Sequence, residues 1–238
     1  MMQTTVEQAT TITRQGDRGK LYFYGDIVSS WWGAWDNTDQ YPERIRDFLS
    51  GQTGPLDIYI NSAGGSVCAC MAIYNMLSRY QGEKVVYVDG LAASAASVIA
   101  LTGDKVIIPE NAFFMIHHAW TPCAGGNASD LRIAAAMLDS MDEAMLSVYE
   151  KAASISREKI IEYMDMEKWF TGAEAAEAFH KISAVPSVEI AAKADVETLA
   201  QFRNIPKGLK AAEENARAAV EMERERLALL DMKGGCQP

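Results

Sequence analysis

A run of small residues directly after an apolar segment is the feature that most narrows how this chain can fold. The segment KVVYV (84–88) predicts a buried strand, and the residues DGLAASAAS (89–97) follow it at once. Small side chains let a strand turn sharply into a helix. Ser94 and Ser97 carry the only hydroxyl groups of the run. Each is therefore either core filler or a candidate nucleophile.

Alternating strand-like and helix-like segments predict the class of the fold. We expect strands at 20–28, 55–65 and 84–88, with two more inside 104–120. We expect helices at 41–51, 66–82 and 129–153, with two shorter ones over SREKIIEYM and GAEAAEAF. Because strands and helices alternate along the chain, the sequence predicts an α/β fold.

Two of the predicted helices carry apolar stripes. The helix at 129–153, for which Ser129 is the predicted cap, repeats apolar residues at spacings of three and four. They are Leu131, Ala134, Leu138, Met141, Met145 and Val148. The apolar face of the helix at 66–82 includes Val67, Met71, Tyr74 and Leu77. These faces are the predicted packing surfaces of the two helices.

The two ends of the chain differ in composition from its middle. Residues 1–17 predict a flexible arm, and residues 18–205 predict one domain. After Pro206 the chain is rich in Ala, Glu and Arg, and its apolar residues are too sparse for a core helix. Residues 206–238 therefore predict an exposed helix, a coiled-coil fragment or a partly disordered tail.

Three tryptophans fall within the loop-like stretch SSWWGAW (29–35). One interpretation is a small aromatic cluster that covers the core. The other is an exposed surface that binds a partner or a peptide. The sequence leaves both open.

Charge and hydropathy exclude several function classes. A net charge of -10 and a pI of about 4.8 argue against nucleic-acid binding, which needs clustered Lys and Arg to neutralise phosphates. The N-terminal stretch MMQTTVEQATTITRQG lacks the apolar centre of a signal peptide. The longest apolar run, LAASAASVIALT, is too short to cross a bilayer. We therefore expect a cytoplasmic protein with no nucleic-acid and no membrane partner.

Neither a metal site nor a phosphate-binding loop is predicted. The four cysteines, Cys68, Cys70, Cys123 and Cys236, lack zinc-site spacing and are expected to be free thiols in a reducing compartment. The glycines of NSAGGS lack the Lys–Ser/Thr pair of a P-loop and the spacing of a dinucleotide site. Acidic residues are plentiful, but none stands at metal-ligand spacing from a histidine.

A serine and a histidine supply the remaining candidate chemistry. Of the three histidines, His117 and His118 end the predicted strand AFFMIHH, on which neighbouring side chains face opposite sides. A serine at a helix N-terminus lies beside free backbone N–H groups that suit an oxyanion. Such a pair also needs a carboxylate to orient the imidazole. Nucleophilic catalysis and core packing both remain open at this point.

Four motifs in a fixed order relate the chain to a known family. They are INSAGGS (60–66), DGLAASAASVIALTGD (89–104), MIHHAW (115–120) and EKWFTGAEAAE (167–177). From about Leu21 to about Ala184, the chain resembles the Clp protease proteolytic subunits, a family of serine peptidases. It is most similar to the phage-associated branch, the Clp-related head maturation (prohead) proteases.

The resemblance implies which serine and which histidine are catalytic. The family's nucleophile motif falls on Gly90–Ser94, so Ser94 is the expected nucleophile. Ser97 matches no catalytic position and is expected to pack within its helix. The family's histidine follows Met–Ile, so His117 is the expected general base and His118 is expected to point elsewhere.

The resemblance also implies a third catalytic residue and an oxyanion hole. The family usually has an aspartate two residues before an aromatic, and this chain has Glu167 there, with Asp165 as the fallback. The backbone N–H groups of Gly64 and Ala95 match the family's oxyanion donors. The turn reads Ser-Ala-Gly-Gly where many relatives have Ser-Pro-Gly-Gly, and both donors remain.

A fold, an assembly and partners are implied as well. The fold would be a ClpP/crotonase-like superhelix of strand–strand–helix repeats, with residues 129–153 as a long protruding handle helix. Family members form homo-oligomeric rings, commonly two stacked heptamers, and use no cofactor and no metal. The expected partners are polypeptide substrates. These would be capsid or scaffold proteins for a head maturation protease, whereas a housekeeping subunit would work with an AAA+ ATPase.

Two functions of other classes remain as alternatives. A crotonase-like enzyme on the same fold would polarise an acyl-CoA thioester with backbone N–H groups and would need no Ser–His pair. An inactive ring would act only as a scaffold. The aligned Ser94, His117 and Glu167 favour the peptidase over both.

Overall fold

The computed structural model of the chain describes residues 18–122, 125–187 and 202–206. The chain divides into two compact units, residues 1–193 and 194–238, and the sheet described below belongs to the first. Within the second unit, only residues 202–206 are described. The predicted arm at 1–17 and the predicted tail beyond Pro206 lie outside the described residues.

The strands of the described residues form one mixed sheet. They are β1 (Gly19–Phe23), β2 (Leu56–Ser62), β3 (Lys84–Ala93), β4 (Lys105–Pro109), β5 (Phe113–Ile116), β6 (Lys168–Thr171) and β7 (Ile182–Val185). The path β1-β2-β3-β4-β7 is parallel throughout. The first half of β3 pairs with β4, and its second half pairs with β5. β5 is also antiparallel to β6.

Helices connect these strands and confirm the predicted α/β class. They are α1 (Pro42–Ser50), α2 (Val67–Arg79), α3 (Ala95–Ala100), α4 (Ala128–Ala152), α5 (Arg157–Asp165) and α6 (Gly172–Ala178). A short 3-10 turn covers Trp31–Gly33. The long helix α4 is the predicted handle. The strand–helix alternation and this helix agree with the ClpP-like fold expected from the motifs.

The predicted cap of the long helix is wrong. Asn127, not Ser129, caps α4, because its side-chain oxygen accepts from the backbone N–H groups of Ser129 and Asp130. The Asp130 carboxylate in turn accepts from the N–H of Asn127, which completes a capping box. The helix therefore begins one residue earlier than expected.

Two further predictions differ in detail from the structure. The first strand ends at Phe23 and does not extend to Val28, although Ile27 still bridges to Gln40 and Gly65. In α2 the buried residues are Ala69, Cys70, Ile73 and Leu77. Of the predicted face, only Leu77 is fully buried, while Val67, Met71 and Tyr74 pack at its edge. The buried face of α2 lies against α3, where the Cys70 thiol donates to the carbonyl of Ala95 at 3.1 Å.

The handle helix is buried along only part of its length. Near its C-terminal end, Met145, Val148 and Tyr149 belong to the core. Toward its N-terminal end, Leu131 is 47% exposed and Ile133 is 68% exposed. The predicted stripe therefore joins the core only in the second half of α4. Among the helices of the described residues, none combines the length and apolar character that spanning a bilayer requires.

Candidate active site

Ser94 is the single residue that connects a strand to a helix. β3 ends at Ala93 and α3 begins at Ala95, and Ser94 lies between them with φ 54 and ψ -125. Such a conformation costs a non-glycine residue on the order of 1–3 kcal/mol and is typical of functional sites. The N–H of Ser94 donates to the carbonyl of Met115 at 3.0 Å, which holds the junction against β5.

His117 lies directly opposite this serine. Its Nε2 atom is 2.8 Å from the Oγ atom of Ser94. The two residues meet because β3 and β5 are parallel neighbours, with Ala93 opposite Met115, and each catalytic candidate follows the end of its strand. The carboxyl ends of parallel strands are where open α/β sheets commonly place their ligands.

The environment of His117 favours a neutral imidazole. Burial lowers the pKa of His117 below its ordinary value and outweighs the opposing effect of the Glu167 and Asp142 carboxylates. A neutral imidazole can accept a proton, which is what a general base must do near neutral pH. The geometry and the charge state of this pair therefore both suit the activation of a hydroxyl group.

His118 faces away from Ser94 and toward two carboxylates. Its Nδ1 atom lies 2.7 Å from Asp142 on α4, and its Nε2 atom lies 3.0 Å from Asp165 on α5. Burial lowers the pKa of His118, but the hydrogen bonds to Asp142 and Asp165 outweigh it and raise the pKa above its ordinary value. Both histidines lie beyond the end of β5, and they have different partners: His117 contacts Ser94, whereas His118 contacts Asp142 and Asp165.

The two carboxylates proposed as the third catalytic residue have different neighbours. Asp165, the fallback, contacts His118. Glu167 raises the pKa of His117 more than Asp142 does. The indole N–H of Trp169 donates to the Glu167 carboxylate at 3.5 Å. Glu167 has φ 49, so it and Ser94 are the two non-glycine residues with positive φ among those described. The shared backbone strain favours Glu167 as the functional partner.

The Gly64–Gly65 turn packs against the backbone of the Ser94 junction. Both glycines have positive φ, at 106 and 137. A Cβ atom on Gly64 would lie 2.8 Å from the carbonyl of Ala93 and 2.9 Å from the nitrogen of Ala95. Only a residue without a side chain allows this approach, which brings together the two predicted oxyanion donors.

Ser62 is a residue of this turn for which sequence reasoning predicted no role. Its hydroxyl accepts from the N–H of Gly64 at 3.1 Å and donates to the carbonyl of Gly25 at 2.7 Å. An oxyanion would therefore share or replace an existing acceptor at Gly64. A serine hydroxyl commonly accepts from the backbone N–H two residues later in a turn. A serine two residues before a turn glycine, as in Ser62 and Gly64, is therefore the local sequence signal for this bond.

Ser97 packs within its helix as expected, and its hydroxyl also makes two hydrogen bonds. It is fully buried, and its hydroxyl donates to the carbonyl of Ser94 at 2.6 Å. The Ser97 hydroxyl also lies 2.8 Å from the hydroxyl of Tyr149 on α4. Because the single proton of Ser97 goes to Ser94, Tyr149 is the donor in this second bond. The spacing of three residues between Ser94 and Ser97 is the signal for the first bond.

The remaining candidate ligands show no cluster. Among residues 18–122, 125–187 and 202–206, no group of three or more His, Cys, Asp or Glu side chains could hold a metal ion. Cys68 is exposed and Cys70 is buried, as expected for helix positions two residues apart. Cys123 and Cys236 lie outside the described residues.

The match to a protein family covers the whole site. Residues 48–178 match the family described as Clp protease. The chain belongs to this family. The matched segment is more than half of the chain. Its bounds enclose each of the predicted site residues: Gly64, Ser94, Ala95, His117, Asp165 and Glu167.

Several bacterial proteins share this similarity. The chain is 35% identical over 124 residues to "ATP-dependent Clp protease proteolytic subunit 2" of Tropheryma whipplei, which is 50% of this chain and 67% of that protein. It is 35% identical to "ATP-dependent Clp protease proteolytic subunit 1" of Rhodococcus jostii, over 51% of this chain and 56% of the relative. It is 32% identical to "ATP-dependent Clp protease proteolytic subunit" of Bacteroides fragilis, over 51% of this chain and 59% of that relative.

The predicted enzyme class, a serine-type endopeptidase, is confirmed at the level of the family. These three relatives are named as ATP-dependent proteolytic subunits, and none of their names refers to phage heads. The match spans only about 56–67% of the length of these relatives.

Proposed function

We propose that this protein is a serine endopeptidase in which Ser94 is the nucleophile. The observation that carries the proposal is the 2.8 Å contact between the Ser94 Oγ atom and the His117 Nε2 atom. A nucleophile within hydrogen-bond reach of a neutral imidazole is the minimum arrangement for covalent acyl transfer. The match to the Clp protease family supports the same chemistry.

The proposed reaction has two balanced halves. Nε2 of His117 accepts the hydroxyl proton while Oγ of Ser94 bonds to the carbonyl carbon of the substrate. The tetrahedral intermediate collapses, the carbon–nitrogen bond breaks, and His117 returns its proton to the leaving amine. Water then attacks the acyl-enzyme, with His117 again accepting and returning the proton, and releases the acid and free Ser94.

The neighbouring groups have supporting roles in this scheme. The N–H groups of Gly64 and Ala95 stabilise the oxyanion, an effect typically worth about 100- to 1,000-fold per donor. The carboxylate of Glu167 stabilises the imidazolium that forms on His117. The support for this role is its electrostatic effect on His117 and the engagement of Asp165 with His118.

The proposed assembly is a homo-oligomeric ring in which polypeptides are cut. The exposed apolar residues in the first half of α4 support it, because they are suited to contact a second copy. Within this scheme, a head maturation protease acts on capsid or scaffold proteins, and the motifs YGDIVSSWWGAW and MDMEKWFTG favour that role. The names of the relatives instead favour a second candidate, a subunit that works with an AAA+ ATPase.

Replacement of the nucleophile tests the proposed chemistry. Ser94→Ala should lower peptide hydrolysis by several orders of magnitude and abolish labelling by a fluorophosphonate probe. Ser78→Ala, which removes an exposed hydroxyl from α2, is the matched control and should behave as the wild type. If the Ser94→Ala protein hydrolyses peptides at the wild-type rate, the proposal is wrong. Thioester turnover by that variant would point to the crotonase-like alternative.

A comparison of substrates separates the two biological roles. Native mass spectrometry would give the ring size. Cleavage of a folded capsid or scaffold polypeptide without nucleotide supports head maturation, whereas degradation that requires an added AAA+ ATPase and ATP supports the second candidate.

A further inference from the structure

Three tryptophans are exposed on one short loop, which we define as the tryptophan loop (28–39). Trp31 is 57% exposed, Trp32 is 76% exposed and Trp35 is 95% exposed. The rings of Trp31 and Trp32 stack on each other with centroids 3.9 Å apart. These exposures contradict the interpretation of an aromatic cluster over the core. Contiguous exposed aromatic surface is a mark of binding sites.

The tryptophan loop is held in one shape by a buried carboxylate. Asp39, which is only 6% exposed, accepts hydrogen bonds from the N–H groups of Asp26, Trp35 and Asp36 at 2.9, 3.0 and 3.1 Å. The N–H of Val28 donates to the carbonyl of Gln40, which closes the base of the loop. The tryptophans are therefore presented by a loop with its own hydrogen-bonded frame.

The base of this loop is joined to the turn beside Ser94. The N–H of Ile27 donates to the carbonyl of Gly64 at 2.8 Å, and the N–H of Ser66 donates to the carbonyl of Ile27 at 2.7 Å. The hydroxyls of Ser29 and Ser66 lie 3.1 Å apart. Gly64 also packs against the backbone of the Ser94 junction. The base of the loop is therefore linked through Gly64 to the segment that carries Ser94.

The reach of the chain limits how far the tryptophans lie from this turn. Trp31 follows Ile27 by four residues, so their Cα atoms are at most about 14 Å apart. The 3-10 turn folds back toward the base, because a Cβ atom on Gly33 would lie 3.5 Å from that of Val28. An extended peptide advances about 3.3 Å per residue. A peptide that extends from Ile27 toward the loop would therefore reach the Cα atom of Trp31 within about four residues.

We propose that Trp31, Trp32 and Trp35 form a binding subsite for apolar side chains of the polypeptide substrate, beyond the Gly64–Gly65 turn and away from the scissile bond. This inference rests on the proposed peptidase function. The continuity of the loop with the turn selects the substrate as the occupant over a second copy of the chain or another partner. The subsite favours long substrates with aromatic or aliphatic residues several positions from the cleaved bond.

Paired substrates of different length test this subsite. The measurement compares two substrates: a fluorogenic peptide of about twelve residues, with Leu and Phe distal to the cleaved bond, and a short peptide amide. Its readout is the kcat/KM of the long peptide divided by the kcat/KM of the short one. In the Trp32→Ala/Trp35→Ala double variant this ratio should fall about tenfold or more. Trp32→Phe/Trp35→Phe should restore most of it. Asn37→Ala, which removes an exposed polar side chain from the same loop, should keep the wild-type ratio.

One outcome would overturn the inference, namely a double variant with the wild-type ratio. If the native mass of that variant is also changed, the tryptophans form a contact between copies instead.

A binding measurement keeps the inference separate from the proposed chemistry. If wild-type protein fails to cleave the short amide, the proposed function fails, and tryptophan fluorescence then decides the subsite alone. The long peptide should change the fluorescence of the full-length Ser94→Ala protein saturably, and the same peptide with Ala at its distal positions should bind at least about tenfold more weakly. Equal affinity for the two peptides would contradict a subsite for apolar side chains.

Discussion

The Nδ1 atom of His118 lies 2.7 Å from the carboxylate of Asp142, which joins the end of β5 to the handle helix α4. The other oxygen of Asp142 accepts from the N–H of Ala119, so one carboxylate binds two successive residues. The Nε2 atom of His118 contacts Asp165 on α5. Because both carboxylates act as acceptors, a protonated His118 satisfies both at once. The residue next to His117, the proposed general base, is thereby tied to two helices.

We predict that His118→Gln destabilises the protein mainly at low pH. The pKa of His118 is raised in the folded state, so its stabilising charge is fully present below the ordinary value of 6.5 and is lost as pH rises through the raised pKa. Thermal unfolding of the wild type and the variant across this range should show a difference in Tm that shrinks with increasing pH. His180→Gln, at an exposed histidine, is the control. A Tm difference that is constant with pH would contradict this role.

We predict that Glu167→Gln impairs catalysis far more than Asp165→Asn does. Glutamine keeps the size of the side chain but removes the charge that stabilises an imidazolium on His117, so kcat should fall by about tenfold or more. Asp165 contacts His118 instead, and its replacement should change kcat by less than about threefold. The kcat of each variant on one peptide substrate, measured by steady-state kinetics, would decide whether Glu167 or Asp165 supports His117. A larger loss in Asp165→Asn would make Asp165 the third catalytic residue.

We predict an acid limb of kcat/KM with its midpoint below 6.5, the ordinary pKa of histidine. The reaction needs neutral His117, and burial lowers the pKa of this residue. Activity is therefore present above the lowered pKa and is lost as pH falls through it. In Glu167→Gln the midpoint should move lower still, because the Glu167 carboxylate raises the pKa of His117. A midpoint above 6.5 in the wild type, or an upward shift in the variant, would exclude this assignment.

We predict that Ser97→Ala lowers stability by about 1–3 kcal/mol, since it leaves the buried hydroxyl of Tyr149 and the carbonyl of Ser94 each without one hydrogen bond. Tyr149→Phe removes only the donor and should cost less. Denaturant unfolding of both variants and of the double variant would measure the coupling. The rate of fluorophosphonate labelling of Ser94 should fall in Ser97→Ala, because the junction loses a contact that holds it. If the stability losses of the two single variants add up to that of the double variant and the labelling rate is unchanged, Ser97 only fills space in the core.

The sequence by itself determined the elements and the main chemical candidates. The alternation of Leu56, Ile58 and Ile60 predicts a strand with one buried face, and all three are fully buried in β2. The spacing of three and four in residues 129–153 predicts the long helix for the same reason. Periodicity indicates the type of secondary structure without knowledge of the fold, but it does not settle burial, since Leu131 at the start of the α4 stripe is exposed. The ordered motifs likewise singled out Ser94 and His117, which the structure places 2.8 Å apart.

Only the tertiary structure decided which groups share a partner. Asp165 lies two residues from Glu167, yet it is the last residue of α5 and contacts His118, whereas Glu167 lies in the connection to β6. Tyr149 reaches Ser97 across 52 residues of sequence, and no pattern in either segment announces the other. Asp39 holds the backbone of the tryptophan loop through three N–H groups, and the tryptophan rings on that loop are exposed, which the sequence left open. Composition and periodicity report what each segment prefers, whereas hydrogen-bond partners depend on distances that arise only when the sheet and helices pack together.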